Sequence, residues 1–87
     1  MNTLNLEAAA KNLMTIDTTY GPRKASRRVF RVTRKVSLCD EGTHVRLIAD
    51  LPYGEPNISW THMEATVNAC QGNSPTFYIP IDALEAL

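Results

Sequence analysis

Through the middle of the chain, apolar and polar residues alternate. Phe30, Val32, Val36 and Leu38 share one parity, interrupted by Arg34, while Arg27, Arg31, Thr33, Lys35 and Ser37 share the other, interrupted by Val29. Period two with β-branched residues describes a strand with one face buried, here over residues 28–38. Asp40-Glu41-Gly42 has turn chemistry, with Gly42 free to take positive φ. Val45, Leu47, Ala49, Leu51 and Tyr53 then alternate again, with His44, Arg46 and Asp50 on the opposite face. The pattern predicts a β-hairpin. A loop over residues 39–42 pairs Leu38 with Thr43, Val36 with Val45 and Val32 with Ala49. On the open face it sets Arg31 against Asp50 and Lys35 against Arg46. The second of these places like charges opposite one another, which costs stability unless an anion covers them.

The flanking segments read as helices. Leu6, Ala9, Ala10, Leu13 and Met14 recur at helical spacing, with Thr3 or Asn5 as a cap and an end near Ile16. Thr18 to Ser26, containing Tyr20-Gly21-Pro22, reads as a loop. A second helix is predicted over residues 59–71. Ser59 or Asn57 is its cap, Thr61 and Glu64 have capping-box spacing, and Trp60, Met63, Val67 and Cys70 form its apolar stripe before Gly72. Thr76 to Ile81 reads as a third strand with Phe77 and Ile79 on one face, confined to an edge by Pro80. Asp82 then caps a final turn over residues 83–87. The order α-β-β-α-β predicts an α+β fold in one domain over residues 1–87: an antiparallel hairpin plus a third strand, with two helices packed on one face.

Composition narrows the function classes. Hydrophobic residues make up 44% and charged residues 21% of 87, an ordinary globular balance. A chain this short gains from burial against a second copy or a partner, so homo-oligomerisation is one expectation. Its apolar runs fall short of the ~20 residues a membrane span needs, so no membrane partner is expected. Residues 1–10 lack the basic and apolar regions of a signal peptide, which points to the cytoplasm. Cys39 and Cys70 are too few for a disulfide scaffold, and Cys70 on an apolar stripe reads as a buried thiol. There is no glycine-rich phosphate loop, no Gly-x-Ser-x-Gly elbow and no His-Glu-x-x-His. Cys39, His44, His62 and Cys70 lack the paired spacing of a zinc site. The sequence therefore predicts neither catalysis nor a cofactor nor a metal.

Charge supplies the one positive signal. Net charge is zero, yet Arg23, Lys24, Arg27, Arg28, Arg31, Arg34 and Lys35 place seven of the nine basic residues in one acid-free stretch. From Cys39 onward Arg46 alone stands against Asp40, Glu41, Asp50, Glu55, Glu64, Asp82 and Glu85. A chain polarised in this way pairs its halves internally or presents a basic face to an anionic partner. On the predicted hairpin, Arg27, Arg31 and Lys35 form an outward row with Lys24 and Arg46 at its margins, and Arg34 points to the covered side. The candidate partner-binding residues are Arg23, Lys24, Arg27, Arg28, Arg31, Lys35 and Arg46. The expected partner is nucleic acid, through its phosphates. The alternative is an acidic surface of another protein, bound by a small accessory protein that inhibits or modulates it.

Overall fold

The computed structural model describes residues 12–36, 39–50, 56, 58–59, 61–67 and 74–87. They form eight strands: β1 (Leu13–Thr18), β2 (Gly21–Ser26), β3 (Phe30–Val32), β4 (His44–Leu47), β5 (Ile58–Ser59), β6 (His62–Val67), β7 (Thr76–Pro80) and β8 (Leu84–Ala86). Between β7 and β8 lies one turn of 3-10 helix, Ile81–Ala83, and no longer helix occurs among the described residues. The fold is mainly β, which corrects the expected α+β layer.

Every ladder between named strands is antiparallel. β7 lies along one edge of β6 from His62 to Thr66. The other edge of β6 is shared, by β5 at His62 and Met63 and by β4 from Ala65 to Val67. β3 then joins β4 to β8, so the main order is β7-β6-β4-β3-β8. Its two outer strands are linked only by residues 81–83. The four steps from Pro80 to Leu84 reach at most ~15 Å. Five flat strands would hold their outermost members about 19 Å apart. The sheet is therefore curled, bringing its edges toward each other. The 3-10 turn is stitched to both sides, Ile81 N–H donating to the Thr61 carbonyl and Thr33 N–H to that of Ala83, each at 2.8 Å. Inside the curl lies the core: Phe30, Val32, Cys39, Val45, Leu47, Met63, Ala65, Ile79, Ala83 and Leu84.

β1 and β2 form a hairpin turning at Thr19-Tyr20, where Gly21 takes φ of 96°. β2 continues beside the end of β4. Ala25 pairs with Ile48, and Ala49 N–H donates to the Lys24 carbonyl at 3.0 Å. Ser74 holds the tip, accepting from Thr19 N–H at 3.0 Å and donating to the Asp17 carbonyl at 3.1 Å.

Several expectations are corrected. Leu13, Met14 and Ile16, read as the end of a helix, belong to β1, and the segment 18–26, read as a loop, is mostly β2. Leu6, Ala9 and Ala10, the earlier part of that stripe, lie outside the described residues. The second predicted helix is replaced, where described, by β5 and β6, while Trp60 and Cys70 lie outside the described residues. Met63 and Ala65 face the core, but Glu64 and Thr66 on the opposite face are buried too. His62-Met63-Glu64-Ala65-Thr66-Val67 alternates between polar and apolar as a strand does, but Trp60, Met63, Val67 and Cys70 also fit helical spacing, and the capping-box spacing of Thr61 and Glu64 favours the helix. The final turn, expected over residues 83–87, sits at 81–83 and is followed by β8.

The hairpin of β3 and β4 exists, but shorter and in another register. Phe30 faces Val45 and Arg31 faces His44. Thus Val36, predicted opposite Val45, lies in the connecting loop, bridged to Cys39, and Leu38 and Tyr53 lie outside the described residues. Gly42 takes φ of 90°, as its place in a turn requires. The strand expected from Thr76 is β7, at an edge that suits Pro80, with Ile79 buried and Phe77 packed on the core.

Candidate anion-binding face

The basic run does not lie on one strand. Arg23 and Lys24 are in β2, Arg27 and Arg28 follow it, Arg31 is in β3, and Arg34 and Lys35 are in the loop after β3. The predicted row of Arg27, Arg31 and Lys35 is therefore broken, although all three are exposed. Arg34, expected on the covered side, is exposed as well.

Four of the seven cations are matched by the chain's own acids. Arg23 lies between two carboxylates: Nε and Nη2 donate to Asp50, Nη2 to Oδ1 at 3.2 Å, and Nη1 and Nη2 donate to Glu64 at 3.2 and 2.9 Å. Their side chains are 19, 16 and 8% exposed respectively. The hydrogen bond from Arg23 holds the Asp50 carboxyl below its usual range, and bonds to Asp50 and then Glu64 raise the Arg23 guanidinium further still. Arg23 opposes Asp50 across the junction of β2 and β4 and reaches Glu64 on β6, so it fastens the N-terminal hairpin to the sheet. Arg23, one of the candidate partner-binding residues, is thus already engaged by two carboxylates of its own chain. Its bond to Asp50 corrects the expected pairing of Asp50 with Arg31.

The other three pairs lie at the surface. Arg31 donates to Glu85, its direct partner in the β3–β8 ladder. Arg34 bonds Asp82 at 2.9 Å, and Lys35 bonds Asp40 at 3.0 Å. Their side chains are between 36 and 82% exposed, and exposed pairs of this kind contribute little stability. Lys35 does not face Arg46, so the like-charge conflict of the predicted register does not arise.

Lys24, Arg27 and Arg28 remain. Lys24 donates to the Thr15 hydroxyl across the first hairpin at 2.8 Å. Arg27 and Arg28 are exposed and form no ion pair among the described residues. Their position has a structural cause. β2 and β3 are two parts of one bent strand running beside β4. Between the pairs Ala25–Ile48 and Phe30–Val45, five steps on one side oppose three on the other. The surplus is a bulge, a feature that redirects side chains out of the ladder.

Two side chains hold the bulge. The buried Ser26 hydroxyl accepts from Leu47 N–H at 3.1 Å and donates to the Arg28 carbonyl at 2.7 Å, replacing a missing ladder rung. From β4, Arg46 donates through Nη1 to the Ser26 carbonyl at 3.1 Å and to that of Arg27. Arg46, a candidate partner-binding residue, thus braces the bulge from which Arg27 and Arg28 project. Ser26→Ala is expected to cost about 1–3 kcal/mol, because it leaves the buried Leu47 N–H without an acceptor. Urea unfolding reads this, and a change below about 0.5 kcal/mol would show that the hydroxyl is dispensable.

The groups considered for other chemistry are apart. His44 is on β4, His62 is on β6 against the Thr61 hydroxyl at 3.2 Å, and Cys39 is a free thiol in the loop before β4. Burial, then the charge of Asp40, pushes the Cys39 thiol up, the direction opposite to that of a nucleophile. Among the described residues no three His, Cys, Asp or Glu side chains gather as metal ligands. No helix among them is long and apolar enough to cross a membrane.

Sequence reasoning found the basic segment but not Asp50 and Glu64 as partners of Arg23, nor Ser26 as the pin of a bulge. The polarised charge was the available signal for the first, and internal pairing was one of its two readings. Nothing in a serine among arginines announces the second. No family model, no curated protein and no solved structure matches the chain.

Proposed function

We propose that the chain is a non-enzymatic binding module that engages the phosphates of a nucleic acid through the braced bulge and its neighbour Lys24. The observation supporting this reading is the selective matching of charge. Arg23, Arg31, Arg34 and Lys35 have carboxylate partners, whereas Arg27 and Arg28 project from a held backbone without one among the described residues. Paired arginine forks on a fixed backbone suit phosphate oxygens, which accept two parallel N–H bonds. The footprint is Lys24, Arg27 and Arg28, with Arg46 beneath it as a brace. The cytoplasm is the compartment this reading assigns, where nucleic acid is at hand and Cys39 stays reduced.

Fluorescence anisotropy of a labelled 12-nucleotide oligothymidylate and of a 12-base-pair duplex tests it. Contacts from these three cations predict that raising salt from about 50 to 200 mM weakens binding about 20- to 40-fold. Arg27→Glu with Arg28→Glu is expected to lower affinity at least tenfold while leaving the melting temperature nearly unchanged, since both residues are exposed. Absent binding at 50 mM salt, or binding indifferent to the reversal, overturns the reading. Binding of polyglutamate in place of either nucleic acid would transfer the site to an acidic protein surface.

A further inference from the structure

The acids that match the surface arginines are arranged in register. Arg31 opposes Glu85 in the ladder between β3 and β8. Arg34 and Asp82 lie three residues further along each segment, in the antiparallel sense the ladder dictates, and their side chains meet at 2.9 Å. Arg34 also approaches the Asp82 carbonyl at 3.5 Å. Residues 81–87 thus lay two carboxylates along two arginines as an internal strip of negative charge. These pairs differ in kind from the Arg23 cluster. Arg23 and its carboxylates are less than a fifth exposed, whereas the side chains of Arg31, Glu85, Arg34 and Asp82 range from 36 to 79% exposed. Exposed pairs are weak and exchange readily for another anion.

Resting on the nucleic-acid reading above, we propose that Asp82 and Glu85 are a built-in electrostatic mask. They occupy Arg31 and Arg34 as stand-ins for phosphate and confine the working footprint to Lys24, Arg27 and Arg28. The mask limits affinity and makes it adjustable, because anything that neutralises or displaces the C-terminal acids releases two further cations. Arg31 follows the bulge on the same bent strand, so the released cations extend the existing site. Lys35 is held separately, by Asp40 of its own loop.

The same oligothymidylate and duplex, titrated over a salt series, test the mask. Asp82→Asn with Glu85→Gln is expected to tighten binding at least fivefold at low salt. The slope of log K against log salt steepens by about 1.8 on the duplex, the value for two added phosphate contacts. Asp17→Asn with Glu41→Gln makes the same change in net charge at exposed acids that pair with none of these arginines, and its slope stays at the wild-type value. Arg31→Gln with Arg34→Gln, added to the neutralised variant, cancels the gain and returns the slope to the wild-type value. If the wild type binds and the neutralised variant keeps the same slope, the mask is overturned while the nucleic-acid reading stands. If the control variant steepens equally, bulk charge accounts for the gain and the mask again falls. If neither wild type nor neutralised variant binds, both readings fall.

Discussion

Phe30→Ala is expected to destabilise the protein by about 3–5 kcal/mol, the usual range for emptying a buried aromatic site. Phe30 is fully buried at the centre of the curl, opposite Val45 on one side and Ala86 on the other. A small domain has about 5–15 kcal/mol of net stability, so one such loss removes a large share of it. At about 4–8 °C per kcal/mol for a chain of this size, the melting temperature should fall by at least 12 °C. Val36→Ala is the informative companion. The register read from alternation places Val36 opposite Val45, where truncation would cost nearly as much as at Val32. The structure places it in the loop, half-buried and bridged to Cys39, where about 1 kcal/mol or less is expected. Circular dichroism melts of Val36→Ala and Val32→Ala therefore separate the registers, and equal losses at the two positions would sink the observed one.

The difference between those registers shows how far alternation carries. Phe30, Val32, Val45 and Leu47 do point into the core, as their parity implies. Parity is blind to a shift by an even number of residues, and β3 ends and β4 begins further apart in sequence than the turn residues suggest. β6 was hidden for another reason. Its residues do alternate, His62, Glu64 and Thr66 against Met63, Ala65 and Val67, but six residues of period two were outweighed by a longer stripe at helical spacing, Trp60, Met63, Val67 and Cys70, behind a capping-box pair. β2 was hidden by Gly21 and Pro22, which are turn residues by composition. In the structure Gly21 supplies the positive φ after the turn, and Pro22 opposes Asp17 at an exposed position of the ladder. The candidate site was legible as charge but not as geometry. That acids after residue 39 face bases before it follows from polarity along the chain. Which acid meets which base depends on the register and on a bulge that inserts unpaired residues, and neither leaves a local signature.

Arg23→Met is the second large effect expected, and its pH dependence makes it diagnostic. Methionine keeps much of the stem's bulk but removes the guanidinium that the largely buried carboxylates of Asp50 and Glu64 share. Removing one member of a buried ion pair commonly costs about 3–5 kcal/mol, and the remaining exposure here reduces that to about 2–3 kcal/mol. Near neutral pH the variant should therefore unfold at clearly lower urea. Because Arg23 holds the Asp50 carboxyl below its usual value, the pair's contribution is complete above the unfolded value of about 3.9 and is lost as pH falls through the depressed folded value. Wild type and variant should converge on acidification, since protonation removes the charges that Arg23 neutralises. Adding Asp50→Asn and Glu64→Gln to Arg23→Met is expected to recover most of the loss at neutral pH, because it removes the two carboxylate charges and keeps the side-chain shapes. A constant gap between wild type and Arg23→Met from pH 7 to pH 3 would show that the stem's packing, not its charge, fastens the hairpin to the sheet.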